Sequence, residues 1–492
     1  MIEKKKTVNV LKTMSVLASV RVVTIISSLI KNKVISIFLG TEGVGLFGVL
    51  QNFQSLSSAF FGFGVSKSSV RDISFSKSSN NSNVEVSKMA KTAFYLTLLL
   101  SLVGNVIIIL FSNELSELTF DSNKYSIYIK VMSLSIFFNI LFNGQQAIIQ
   151  GLREVKILAK SAALSAFIGV LVSVPLYFFF KLDGVTYAFI CSSLISFLVS
   201  KRYSKKLNLT EVNLKLSEFV VNSKNMLVLG GSLMIVSVMV SLYGFVLKAY
   251  LVKVGGLEIV GVYQSGYQVL GGYFGLIFTS IALDYFPRIS EVANDNIKIN
   301  QEVDIQSKAS LVLIAPLVVV IVFASDWIVQ FLYSKEFLKT SSYLLYGSFG
   351  ITFLPLGQIL GMVFLAKNNT RIYLIMVFAL QILFFVNSVV LYQCYDVKGL
   401  GMAFSLNMFL NMLFPWLINK KIYNIKLSKD LKRIMFQVLL FTTCSVLIVI
   451  YVEETLLKYV IGGVVFFTSL FYTIQEMKRS LDLSLLSFFK KK

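Results

Sequence analysis

Residues 20–48 read VRVVTIISSLIKNKVISIFLGTEGVGLFG. The stretch reads as a membrane-spanning helix that carries three cations, Arg21, Lys31 and Lys33, followed by a Gly-rich corner that starts a second span. A charge on a spanning helix costs at least about 2.5 to 3.5 kcal/mol on insertion scales, so each intramembrane cation is a candidate functional residue. At 100° per residue, Arg21, Thr24, Ser28, Lys31 and Asn32 fall within about a 100° arc and form a polar stripe on an otherwise apolar helix. Lys33 lies roughly 120° from Arg21, off that stripe. Arg21 is about 12 Å and Lys31 about 27 Å along the helix from Thr13, so the stripe offers positive charge at two depths.

The rest of the chain agrees with a membrane setting. Of its 492 residues 56% are hydrophobic and only 14% charged, and the mean hydropathy is +0.76, whereas soluble proteins carry roughly 25% charge. Apolar runs of about 20 residues fall near 14–39, 44–66, 92–112, 126–150, 158–180 and 184–203. They recur near 226–252, 259–283, 309–333, 342–366, 372–394 and 399–419, with two more near 434–452 and 456–475. The basic N-terminus precedes an apolar stretch, but Arg21 interrupts the run and no small-residue cleavage site follows, so the first span is read as retained.

Lysine and arginine set the orientation. The N-terminal side, the even-numbered loops and the C-terminal tail hold 34 of the 46 basic residues, against eight on the opposite side and four within spans. Both termini are therefore expected in the cytoplasm. The net charge of +21 belongs to this asymmetry rather than to a nucleic-acid surface, since no soluble domain is present to display one. Residues 67–91, rich in Ser, Asn and Lys, read as a mobile polar loop, and residues 284–308 as a surface helix. The external connections are short, about 15 residues at most.

An internal repeat organises the whole. Lys33 and Lys248 are 215 apart, and the corner from Glu42 to Phe47 matches that from Glu258 to Tyr263 at a spacing of 216. Gly184, Ala188, Phe189, Lys205 and Lys206 lie 215 before Gly399, Ala403, Phe404, Lys420 and Lys421. The expected fold is thus an all-α polytopic membrane protein of about fourteen transmembrane helices. Two six-helix lobes are related by a pseudo-two-fold along the membrane normal, with two C-terminal helices added. Residues 1–210 form the N-terminal lobe, 211–425 the C-terminal lobe, and 426–492 the two additional helices and a basic cytoplasmic tail.

Several chemistries are excluded. The chain has no His, and its three cysteines sit inside apolar runs, which removes His/Cys metal clusters, Ser-His-Asp and Cys-His triads and a disulfide framework. No catalytic residue, metal or cofactor is expected. All 25 acidic residues fall in loops, tails or span ends, so the intramembrane carboxylate that ion-coupled drug exporters use is missing. The cations then have two readings. One is a cavity lined by positive charge that accepts phosphate or pyrophosphate, with Arg21 and Lys31 as first candidates and Lys33 and Lys248 beside them. The other is an Arg21 that meets a polar group within the bundle and lysines that snorkel to the external interface. In the first, Thr24, Ser28 and Asn32 complete the polar lining. Pro175, Pro316, Pro355 and Pro415 interrupt spans and are expected to kink them. Tyr243, Tyr250, Tyr263, Tyr267 and Tyr273 are expected chiefly as interfacial anchors.

The stretch from Lys33 to Ser74, ending in GTEGVGLFGVLQNFQSLSSAFFGFGVSKSSVRDIS, resembles the opening two helices of the O-antigen flippases of the Wzx type. These are polysaccharide transporters within the multidrug/oligosaccharidyl-lipid/polysaccharide exporter superfamily. The resemblance implies a two-lobed bundle working by alternating access in the cell inner membrane. Its substrate would be an undecaprenyl-diphosphate-linked oligosaccharide, an O-antigen or similar unit on the path to lipopolysaccharide, turned from the cytoplasmic to the periplasmic leaflet. It also implies a polysaccharide polymerase and a chain-length regulator as partners. By likeness to the lipid II flippases, the two unpaired C-terminal helices would help form a groove for the lipid tail. A cation-coupled drug exporter of the same superfamily is the main alternative. An integral-membrane polymerase is the second, and the short external loops speak against it.

Overall fold

The computed structural model describes residues 2–78, 83–207 and 209–480, with side chains described from residue 23 onward except 78, 276–284 and 480. Among the described residues every regular element is helical. Two compact units divide the chain, Met1–Gly261 and Val262–Lys492.

The first unit holds α1 (Ile2–Phe61), α2 (Val65–Ser78), α3 (Asn83–Leu110), α4 (Ser112–Phe120), α5 (Ser126–Gly151), α6 (Val155–Phe180), α7 (Asp183–Ser204) and most of α8 (Leu216–Tyr267). The second holds the end of α8 and α9 (Phe274–Glu291), α10 (Asn296–Phe323), α11 (Ser325–Leu332), α12 (Lys339–Ala366), α13 (Thr370–Tyr423), α14 (Lys429–Tyr451) and α15 (Thr455–Ser480). Among the described residues eleven helical segments are long and apolar enough to cross a membrane. Three of them, containing α1, α8 and α13, are double-length and broken inside, at Gly40, Gly256 and Asp396, which brings the crossings to the fourteen expected.

These breaks have a local cause. Gly40 (φ 62, ψ −158) and Gly256 (φ 70, ψ −177) occupy backbone that essentially only glycine enters without strain. The first one folds α1 back on itself. Lys31 and Phe47, sixteen positions apart, would be about 24 Å apart along a straight helix, yet the Lys31 ammonium sits 4.3 Å from the Phe47 ring centre. Pro175, Pro316 and Pro355 lie inside unbroken helices, and α13 breaks at Asp396 rather than at Pro415. Neighbouring backbone that supplies a freed carbonyl with another partner makes such prolines tolerable in a bundle.

The same local geometry recurs along the chain at the spacing of the repeat. Lys181 (φ 52, ψ −129) and Asp396 (φ 53, ψ −137) are 215 apart. Three residues on, Gly184 packs against the carbonyl of Leu176 and Gly399 against that of Leu391, so a Cβ at either would overlap it. At the end of α5, the Leu152, Arg153 and Glu154 amides donate to the carbonyls of Ile148, Gln150 and Ile149. At the end of α12, those of Lys367, Asn368 and Asn369 donate to Val363, Leu365 and Phe364. Each partner is again 215 further on.

Two expectations fail. Residues 67–91 are not a loop: α2 continues to Ser78 and α3 begins at Asn83, leaving only 79–82 outside the described residues. Their apolar positions explain this, because Ile73, Val86 and Ala90 are buried with Val65, Ile149 and Met226 in one cluster. Residues 284–308 are likewise not one surface helix: α9 runs to Glu291 and α10 begins at Asn296, with Ile299 and Val303 buried and Asp295 capping the Ile297 and Lys298 amides. In the second unit, α14 and α15 pack on α10. Thr473 donates to the Val312 carbonyl at 2.9 Å, and Arg433 meets Glu476 at 2.9 Å.

Candidate functional site

The folded-back α1 brings two of the expected cations to neighbouring residues. Lys31, half-buried on the first limb, lies over the Phe47 ring, which stacks on Phe189 of α7 at 5.1 Å. A cation over an aromatic face gains about 0.5 to 2 kcal/mol, more as water is excluded. From α8, Lys248 donates to the Gly48 carbonyl at 2.9 Å and to Asn52 Oδ1 at 3.1 Å, and only 3% of it is exposed. Phe47 and Gly48 are consecutive, so Lys31 and Lys248 both reach the same turn of the second limb of α1. Gly244, one turn before Lys248, lets Asn52 approach the α8 backbone.

The other expected site residues are less concentrated. Asn32 is buried, Thr24 and Ser28 are half-buried, and Lys33 is half-buried with its carbonyl accepting from Ser36 Oγ at 2.8 Å. Arg21 lies within α1, but its side chain falls outside the described residues. Of the tyrosines, Tyr263 departs from the expected interfacial role. It is buried, edge-on to Tyr343 with centroids 5.9 Å apart. Tyr267 is exposed and faces Phe404 edge-on at 6.4 Å.

Polar groups that sequence reading passed over join the helices of the first unit. Gln54 of α1 donates to Ser135 and Ser193, which lie 3.0 Å from each other, so one amide ties α1, α5 and α7 together. Gln146 of α5 donates to Ser161 of α6 and Ser200 of α7, both at 3.1 Å. In a medium without water each of these groups needs an internal partner, which is why serines and amides recur on the facing sides. Their signal in the sequence is a helical spacing of amides on one span, at 139, 143, 146 and 150. A search confined to charges does not find it.

A folded-back first helix, a matching break in α8 and helices that turn their apolar side chains outward define a polytopic helical membrane protein. The family comparison places the chain within that class. The model of the polysaccharide biosynthesis protein family matches residues 11–342, and the chain belongs to that family. A model of the lipid II flippase MurJ matches residues 249–471. Together these bear out the resemblance to the Wzx-type flippases of the multidrug/oligosaccharidyl-lipid/polysaccharide exporter superfamily.

Solved structures share the fold at low identity. A lipid II flippase MurJ in an inward closed conformation is 17% identical, with 96% of this chain and 99% of that one covered and a TM-score of 0.71. An inward-facing multidrug resistance MATE family transporter of the MOP superfamily is 16% identical, with 85% and 99% covered and a TM-score of 0.70. A MOP superfamily transporter from Pyrococcus furiosus is 16% identical, with 83% and 95% covered and a TM-score of 0.58. No curated protein matches.

Proposed function

We propose that this protein turns an undecaprenyl-diphosphate-linked oligosaccharide, an O-antigen or similar repeat unit, from the cytoplasmic to the periplasmic leaflet of the inner membrane by alternating access. The observation that carries this reading is the charge along α1. A helix of a polysaccharide biosynthesis protein bears Arg21, Lys31 and Lys33, and Lys31 is drawn onto an aromatic ring inside the first unit. A diphosphate is the part of a lipid-linked glycan that such cations attract, Arg through its fork of donors and Lys as a point charge. Arg21 and Lys31 receive the diphosphate, Lys33 and Lys248 support it, and Thr24, Ser28 and Asn32 line the path. The polymerase and chain-length regulator act on the unit after it has crossed, and α14 and α15 serve the lipid tail.

Drug export is the second reading, favoured by the TM-score of 0.70 to a multidrug transporter. Ion coupling in such a protein needs an intramembrane carboxylate. Glu476, a buried acid of the second unit, is already paired with Arg433. The test is to neutralise Arg21 or Lys31 as Arg21→Gln and Lys31→Gln in the producing cell. Surface polysaccharide is expected to disappear while the protein stays in the membrane. Unchanged polysaccharide in both variants overturns the assignment.

A further inference from the structure

A cavity of about 620 Å³ lies in the first unit between the second limb of α1, the start of α2, α5 and the first half of α8. Among the described residues its lining contains none of the three lysines expected at the diphosphate, Lys31, Lys33 and Lys248. One wall is a ladder of amides on α5, Asn139, Asn143, Gln146 and Gln150, spaced i, i+4, i+7 and i+11 and therefore on a single helix face about 16 Å long. Facing residues include Ser58 and Lys67. Lys67 donates to Ser237 at 2.9 Å, and no carboxylate and no aromatic ring lines the cavity among the described residues.

Much of this hydrogen-bonding capacity is unused. Asn143 donates to Asn139 Oδ1 at 3.1 Å. Gln146 is fixed by its two bonds to Ser161 and Ser200, which commit its N–H groups and leave its carbonyl oxygen as the group it presents. Ser58 Oγ is buried with no hydrogen-bond partner.

Packing does not require these amides. Counting 215 forward along the matched ends of α5 and α12, the four positions are Leu354, Gln358, Gly361 and Leu365. The equivalent helix therefore folds with a single amide on that face. A row of uncharged amides that between them present donors and acceptors is the chemical complement of sugar hydroxyls, which donate and accept. Among the described residues the lining lacks the carboxylate or aromatic ring that would pair with the charge of a cationic drug. The ladder ends at the face that the lysine and arginine distribution assigns to the cytoplasm, where a lipid-linked glycan is loaded.

We propose that the α5 amide ladder, with Ser58 and Lys67 opposite, is the subsite that holds the glycan of the transported lipid, separate from the cations of α1 that hold its diphosphate. This deepens the flippase reading and rests on it. The ladder sets a length preference: glycans of several sugars engage all four amides, and a single sugar does not.

The test uses the full chain in vesicles with two probes, undecaprenyl diphosphate carrying one N-acetylhexosamine and the same lipid carrying a tetrasaccharide. The variant Asn139→Leu/Gln150→Leu places on α5 the residues that α12 carries at those positions. Gln150→Leu alone changes an exposed side chain and keeps the test open should the double variant fold poorly. The parent is expected to move both lipids. The double variant should lose at least tenfold on the tetrasaccharide lipid and the single variant about threefold, with the one-sugar lipid within twofold of parental in both. Equal losses on the two lipids, or no loss on either, overturn the subsite alone. A parent that moves neither lipid overturns the flippase reading and the subsite with it.

Discussion

Replacing Gly45 by alanine tests the packing of the corner on which the first unit depends. A Cβ there would run into the carbonyl of Leu257, and one at Gly261 would run into the carbonyl of Thr41. Residues 41 and 45 lie 216 before 257 and 261, so the two glycines make a reciprocal contact of the small-residue kind that lets spanning helices touch backbone to backbone. Since real Cβ atoms do not approach closer than 3.0 Å, Gly45→Ala must push the two backbones about 1 Å apart. Overpacking costs about 1 to 3 kcal/mol, and a rigid carbonyl as the obstacle puts this case near the top of that range. At roughly 2 °C per kcal/mol for a unit of this size, the thermal unfolding midpoint of purified protein should fall by about 6 °C. Gly463→Ala is the control, since a Cβ there meets nothing within 4 Å, and helix propensity alone should leave it unchanged or slightly more stable. Equal midpoints for Gly45→Ala and Gly463→Ala would refute the close-contact reasoning.

Other substitutions probe the remaining elements. Lys248→Met removes the donor held by Gly48 and Asn52 and should destabilise by about 1 to 3 kcal/mol, read as a lower unfolding midpoint; an unchanged midpoint means that the lysine does not tie α8 to α1. Lys181→Gly and Asp396→Gly relieve left-handed backbone at equivalent corners, and each should raise stability by about 1 kcal/mol in the same melt. Glu218 accepts a hydrogen bond from Lys88 at 2.6 Å, and that bond holds its carboxyl below the usual range. Because the folded value is the lower one, its contribution is present at neutral pH and is lost as pH falls through the acid range. Glu218→Gln should flatten that acid loss in a pH series of melts, and an unaltered pH profile would count against the pairing.

The span count was legible because apolar runs and glycine corners are written directly in composition. Gly40 and Gly256 mark their breaks in the sequence, and Lys181 and Asp396 do not, since nothing in a Lys or an Asp announces left-handed backbone. Residues 67–91 read as loop because polar residues outnumber apolar ones there, yet a few buried positions such as Ile73 and Val86 suffice to hold two helix ends. The cations of α1 stood out as charges against lipid, and Lys248 proved nearly fully buried between Gly48 and Asn52. The amide ladder stayed hidden because Asn and Gln inside an apolar run carry no charge, and the cavity they line exists only once α1, α5 and α8 are brought together.

The most direct test of the transport reading is where the lipid-linked repeat unit stands when this protein is withdrawn from a cell that makes the polysaccharide. Accumulation of single, unpolymerised units on the cytoplasmic leaflet, reversed when the protein is restored, is the predicted result. Accumulation of single units on the outer side, or no accumulation at all, would contradict it.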